Sequence, residues 1–197
     1  MPTKEKVLYL TFDDGPIEDV TPWVLDQLAI YNAKATFFCV GENVRRNPEI
    51  LDRMRREGHT TANHTDKHIS GWASENVPYF HSVRKCAHLV DSDLFRPPYG
   101  LMKPKQAQFL LRHYRIVMWD VLSADFDSNI DEEQCLNNVL KNSREGSIIV
   151  MHDSLKARKN MQYTLPRVLE HFTSLGFSFA KIEAHKQKTV SGLKQIA

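Results

Sequence analysis

A chain of 197 residues with 42% hydrophobic and 25% charged residues has the size and composition of one soluble domain able to bury a sizeable core. Its 26 Lys and Arg against 24 Asp and Glu leave a formal net charge of +2, which gives no strong pull toward nucleic acid. No run approaches the ~20 apolar residues of a membrane span, the N-terminus lacks a signal-peptide pattern, and Cys39, Cys86 and Cys135 show neither an even count nor C-x-x-C spacing, which argues against a disulfide framework or a thiolate zinc site.

Along the chain, an apolar segment at 7–12 predicts the first strand, and it ends in Asp13 and Asp14 before a Gly15-Pro16 turn. Side chains alternate along a strand, so adjacent acids at its end can serve different tasks, one facing a metal and the other a substrate or water. Taken alone, Asp-Gly-Pro reads as a strand stop or helix cap. A helical pattern at 22–31 leads to a second strand at 35–40, where Cys39 reads as a small buried hydrophobe. After a helix at 48–57 and a strand at 60–63 comes Asn63-His64-Thr65-Asp66-Lys67-His68, which contains H-x-x-x-H. Histidines four apart share a face if the segment is helical, and with Asp14 they offer a carboxylate and two imidazoles to one divalent ion, with a position left for water. Alone, the motif is more often a solvated helix face, and the missing Glu after His64 sets aside the H-E-x-x-H metalloprotease reading. His59 reads as structural, and Trp72 as a groove wall or a buried loop anchor.

A helix at 77–90 and a strand at 93–95 run into Arg96-Pro97-Pro98-Tyr99-Gly100. A helix at 104–113 and a strand at 115–119 lead toward Asp125, and a helix at 132–142 and a strand at 147–151 end in His152-Asp153. A helix at 163–175 and a strand at 177–182 complete the pattern; His81, His88, His113 and His171 fall on helical patterns as surface residues, and Asp153 reads as a cap for the next segment. Seven strands alternating with helices argue for a parallel sheet. Closing them into a distorted (β/α)7 barrel would bring all five polar clusters to the C-terminal rim; a flavodoxin-like open sheet is the alternative. One domain is expected over 1–197, its core at about 7–182, with a polar tail from Lys181 to Lys194 as a solvated end.

Thr11-Phe12-Asp13-Asp14-Gly15-Pro16, His64-Thr65-Asp66-Lys67-His68, Arg96-Pro97-Pro98-Tyr99-Gly100, Asp125 and Val150-Met151-His152-Asp153 resemble the five ordered motifs of polysaccharide deacetylases, carbohydrate esterases of family 4 with a NodB homology domain. The likeness runs from about residue 7 to residue 182. It implies removal of acetyl groups from N-acetylated sugars with Asp13 as general base, Asp14, His64 and His68 as metal ligands, and Arg96 orienting the base. It further implies the Tyr99 backbone N–H as oxyanion donor and His152 as general acid tuned by Asp125, with Pro98, Tyr99, Phe126, Val150 and Trp72 toward the substrate. Two departures stand out: Leu122 and Phe126 replace the acid and the tryptophan that many relatives carry in the fourth motif, and Val150 replaces a leucine of the acetyl pocket.

The chemistry can be stated without the family. Amide hydrolysis needs an activated water, stabilisation of the oxyanion and a proton for the leaving nitrogen, and each has a candidate here; no G-x-S-x-G elbow is present. The expected protein is a monomer carrying one divalent ion, zinc first and Co2+ or Ni2+ as alternatives. Its substrate would be an N-acetylated oligo- or polysaccharide such as peptidoglycan or a chitin-like oligomer, with no nucleic-acid partner. O-acetyl xylan-type esterase activity, a small non-sugar amide substrate and a catalytically silent sugar-binding module are the rivals. The expected compartment is the cell envelope or periplasm if the sequence is trimmed, and the cytoplasm otherwise.

Overall fold

The computed structural model describes residues 5–185; the expected tail beyond residue 185 and the first residues of the chain lie outside them. The elements are β1 (Val7–Asp13), α1 (Thr21–Ile30), β2 (Ala35–Cys39), α2 (Gly41–Arg46), α3 (Pro48–Arg56), β3 (Thr60–Asn63), α4 (Asn76–Val90), β4 (Leu94–Phe95), α5 (Pro104–Leu110), β5 (Arg115–Ile116), β6 (Val121–Leu122), α6 (Glu132–Asn142), β7 (Ile148–His152), α7 (Arg158–Ser174) and β8 (Ser178–Phe179). A short 3-10 turn, Pro98–Gly100, follows β4.

The strands pair in the order β5-β4-β3-β2-β1-β7-β6, with β8 added to β1, and every pairing is parallel. Laid flat at about 4.8 Å per strand, the two edge strands β5 and β6 would stand roughly 29 Å apart. They are consecutive in the chain, and the link from Ile116 to Val121 reaches at most about 18 Å when fully extended. The sheet must therefore curl. Among the described residues β5 and β6 do not pair, so the expected seven-stranded barrel is a half-barrel left open along that seam.

Alternation along β1 divides the core into two layers. Leu8, Leu10 and Phe12 point outward and pack with Val24, Leu25 and Leu28 of α1, Met54 of α3 and Leu165, Val168 and Leu169 of α7. Burying each such side chain contributes about 1.5–3 kcal/mol, which makes this sheet-to-helix layer the main source of stability. Tyr9 points inward, where Phe38, Ala62, Leu94 and Ile182 form a smaller interior cluster with Val117 and Ile148. Above that cluster the inward positions Thr11 and Asp13 turn polar, and they belong to the site.

Two elements were not expected. The α2 sequence Gly-Glu-Asn-Val-Arg-Arg has no side-chain cap and is six residues long, too short for a helical repeat to show. β6 is only two residues long. The expected strand at 115–119 stops at Ile116, because the carbonyls of Val117 and Met118 accept hydrogen bonds from the Arg96 guanidinium.

Candidate active site

Because all the strands are parallel, the polar residues at their ends share one rim. Asp13 closes β1, His64 follows β3, Arg96 follows β4, Asp125 lies beyond β6 and His152 closes β7. Asp125 thus follows a strand absent from the expected list, rather than the run at 115–119.

Asp13 and Arg96 form a buried ion pair. Arg96 Nη1 donates to Asp13 Oδ1 at 2.7 Å and to Thr11 Oγ1 at 2.8 Å, its Nε to Val117 O at 3.0 Å and its Nη2 to Met118 O at 3.2 Å. The guanidinium also lies 4.1 Å from the centre of the Phe38 ring. Thr11 completes the shelf by donating to Ile149 O. Burial alone would raise the Asp13 pKa, but the charges of Arg96, His64 and His152 outweigh it and hold the carboxyl below the usual range. Asp13 is therefore ionised, with Oδ1 bound to Arg96 and Oδ2 turned toward His64 Nε2 at 3.9 Å.

Asp14 leaves the strand in a left-handed conformation, φ 86°, so its carboxylate swings away from Asp13. Oδ1 lies 3.1 Å from His68 Nε2 and 3.9 Å from His64 Nε2. The expected helical presentation of the two histidines is not found: 64–68 is a loop, and positive φ at Thr65 and His68 turns the rings together, with centroids 5.0 Å apart. This tight loop is fixed from outside. Gly41 and Glu42 of α2 donate backbone N–H groups to the carbonyls of Thr65 and Asp66, and Arg45 pairs with Asp66 at 2.6 Å. Asn43 of the same helix donates to the Asp14 carbonyl, so α2 braces both ligand-bearing loops.

The donor set fits a divalent cation. Asp14, His64 and His68 each offer one ligand atom, and these lie within 4.8 Å of one another. His64 Nδ1 sits 2.7 Å from Arg96 O; a carbonyl only accepts, so the proton is on Nδ1 and the Nε2 lone pair faces the cluster. Burial keeps the His64 imidazole neutral against the pull of Asp13 and Asp14. Asp14 Oδ1 is buried without a hydrogen-bond partner. Lone pairs gathered in this way repel one another unless a cation joins them.

On the other side of Asp13, His152 sits at the paired position of the neighbouring strand. Its Nδ1 donates to Asp125 Oδ1 at 2.7 Å, and its backbone N–H donates to Oδ2 of the same carboxylate. Burial disfavours the imidazolium, but the Asp125 bond and charge prevail, with Asp13 and Asp14 adding to them, and lift the pKa to about 9. His152 is then protonated at neutral pH, its Nε2–H free of the Asp125 bond. Phe126 stands edge-on to this ring at 4.9 Å, with Lys156 Nζ 5.5 Å from the Phe126 centre.

The remaining expected residues divide by exposure. Tyr99, with φ 61°, is exposed and stands edge-on to His68 at 4.7 Å. Pro98 and Val150 are buried, so they build the turn and the strand and present little surface. Trp72 is 61% exposed, which removes the buried-anchor reading. His59 is structural: its Nδ1 accepts from the Ala35 N–H, and burial lowers its pKa to about 4. Thr11 and Asp153 lie within the quoted motifs but sequence reasoning gives them no site role, and α2 carries no motif-like spacing.

The rim therefore holds an ionised carboxylate, a protonated imidazole and an Asp-His-His cluster able to hold a cation side by side. Residues 1–114 match the family described as polysaccharide deacetylase. The chain is 31% identical to a peptidoglycan-N-acetylglucosamine deacetylase of Bacillus cereus, over 92% of this chain and 89% of the relative. It is 36% identical to a chitooligosaccharide deacetylase of Azorhizobium caulinodans, over 74% and 73%. The crystal structure of the Bc1960 peptidoglycan N-acetylglucosamine deacetylase superposes with a TM-score of 0.86 at 31% identity, covering 92% and 88% of the two chains. Some relatives are longer: the chain spans 58% of a second Bacillus cereus protein of the same name.

Proposed function

Because the chain belongs to the polysaccharide deacetylase family, we propose that it hydrolyses the acetamido group of N-acetylglucosamine-type saccharides, such as peptidoglycan or chitin-like oligomers. Asp14, His64 and His68 would hold one divalent ion, zinc first, with Co2+ or Ni2+ as alternatives. The observation that carries the reading is the pairing of opposite protonation states on adjacent strand ends: Asp13 ionised beside Arg96 and His152 protonated beside Asp125, with the ligand cluster next to them.

When bound, the ion would polarise the acetyl carbonyl and bring the pKa of a water toward about 7. Asp13 receives the proton of the attacking water on Oδ2, since Oδ1 is committed to Arg96. Arg96, immobilised by two carbonyls and Thr11, fixes the direction of that lone pair and keeps Asp13 a carboxylate. The Tyr99 backbone N–H donates to the developing oxyanion. His152 Nε2 gives its proton to the nitrogen as the C–N bond breaks, because an amide anion is too basic to leave, and Asp125 holds the imidazolium in place. The products are acetate and a free amine on the sugar. Phe126 and Tyr99 flank the acid and the ligand cluster and would form the walls met by sugar rings.

The test is acetate release from chito-oligosaccharides, peptidoglycan fragments and acetylated xylan, each with added zinc and with a chelator. The expected result is release from the N-acetylated glycans that the chelator abolishes and metal restores. Release from xylan alone would assign the site to O-acetyl esters, and no release from any substrate would favour a binding relative.

A further inference from the structure

The most completely buried carboxylate among the described residues is not one of those given a role above. It is Asp153, fully enclosed, next to His152 in the chain. The expected cap role is not found, since α7 begins at Arg158 after Ala157, with no side-chain cap. Both Asp153 oxygens instead reach the turn between β1 and α1. Oδ1 accepts from the Gly15 N–H at 3.0 Å, and Oδ2 accepts from Thr21 Oγ1–H at 2.6 Å. Thr21 Oγ1 in turn accepts from the Ile17 N–H at 2.7 Å, and the Asp153 N–H donates to Asp13 O at 3.2 Å. The fit leaves no room for a side chain at position 15: a Cβ on Gly15 would come 1.9 Å from Asp153 Oδ2.

Asp14 lies between these two anchors, held on one side through the Asp13 carbonyl and on the other through the Gly15 amide. Its φ of 86° belongs to a region that non-glycine residues seldom occupy and that persists only where the surroundings enforce it. Asn43 holds the Asp14 carbonyl from the opposite side, but among the described residues only Asp153 grips the backbone both before and after Asp14.

We propose that Asp153 is a positioning residue for the cation site: its carboxylate fixes the peptide group that follows Asp14, while its backbone amide holds the one before, and so it aims the Asp14 side chain at His64 and His68 and sets the affinity for the divalent ion. The inference rests on the metal reading above. It differs from that reading in assigning part of the affinity to a carboxylate that touches neither ion nor substrate.

The test measures zinc affinity of the purified full chain by competition with a chromogenic chelator, alongside the thermal midpoint of the metal-free protein. Asp153→Ala should lose about 10–100-fold in affinity, the range found when partners of metal ligands are removed. Asp153→Asn keeps an oxygen for the Gly15 N–H and should stay near wild type, and Thr21→Val, which removes the bond to Oδ2 and the one from the Ile17 N–H but leaves the Gly15 bond, should fall between the two. An Asp153→Ala affinity equal to wild type would overturn the proposal, whatever happens to the thermal midpoint, because a purely structural role lowers stability without changing the site. Should Asp153→Ala not fold, an unchanged affinity in Thr21→Val overturns it equally. Wild-type protein that binds zinc but releases no acetate would contradict only the deacetylase reading, and the affinity ratios would still decide this one. Wild-type protein that binds no zinc contradicts both.

Discussion

Asp125 and His152 show how a residue's chemistry follows from its partner. Burial alone would hold the imidazole neutral; one carboxylate, bonded to both the ring and the backbone of His152, reverses that and lifts the pKa to about 9. A general acid is lost as pH rises through its pKa, so the alkaline limb of kcat/KM should report His152. A cation on Asp14 cancels part of the carboxylate field, so the limb of the metal-loaded enzyme should lie below that value. Asp125→Asn should shift the limb further toward acid and reduce turnover at neutral pH; an unmoved limb in a pH profile of acetate release would contradict the pairing. The same sign governs stability. The folded pKa exceeds the ordinary 6.5, so the stabilisation from this pair is complete below about pH 6.5 and disappears as pH rises through about 9. Replacing His152 with Ala should cost roughly 10²–10⁴-fold on amide substrates. Aryl acetate esters, whose leaving group needs less protonation, should lose less, and equal losses on both would argue against an acid role.

At the scale of elements, α2 explains why the two histidines meet without a helix. Four of its six residues reach the ligand-bearing loops: Gly41 and Glu42 hold the carbonyls of Thr65 and Asp66, Arg45 pairs with Asp66, and Asn43 holds Asp14. Arg45→Met should loosen the 64–68 loop, seen as faster hydrogen exchange at the Gly41 and Glu42 amides; unchanged protection would show that the backbone bonds suffice. This element was not legible in the sequence. Six residues with one apolar side chain, Val44, and no cap carry no repeat, and the tertiary bonds that stabilise them join positions about 24 apart. The H-x-x-x-H spacing made the meeting of the two imidazoles legible, but not the backbone that brings them together, because positive φ at Thr65 and His68 is imposed by those same long-range bonds. β6 escaped notice for a similar reason: two residues between polar neighbours make no alternating pattern. The long apolar strands β1, β2 and β7, buried on both faces, were legible almost to the residue.

For the molecule as a whole, parallel strand order places the chemistry. Once strands and helices alternate, every strand end falls on one rim, so residues distributed from Asp13 to His152 converge without any contact between them in sequence. Curling follows from the short link between β5 and β6, and it turns the inward positions of β1 toward Arg96. The central claim is that adjacent acids at the end of β1 have separate tasks, Asp13 moving a proton and Asp14 holding a cation. The most direct measurement is zinc titration by calorimetry of Asp13→Asn and Asp14→Asn, with acetate release followed on the same samples. Asp13→Asn should bind zinc nearly as wild type does and lose turnover that no excess of metal restores. Asp14→Asn should bind zinc weakly and recover part of its turnover as metal is added. Weak binding in Asp13→Asn, or its rescue by excess zinc, would contradict the account.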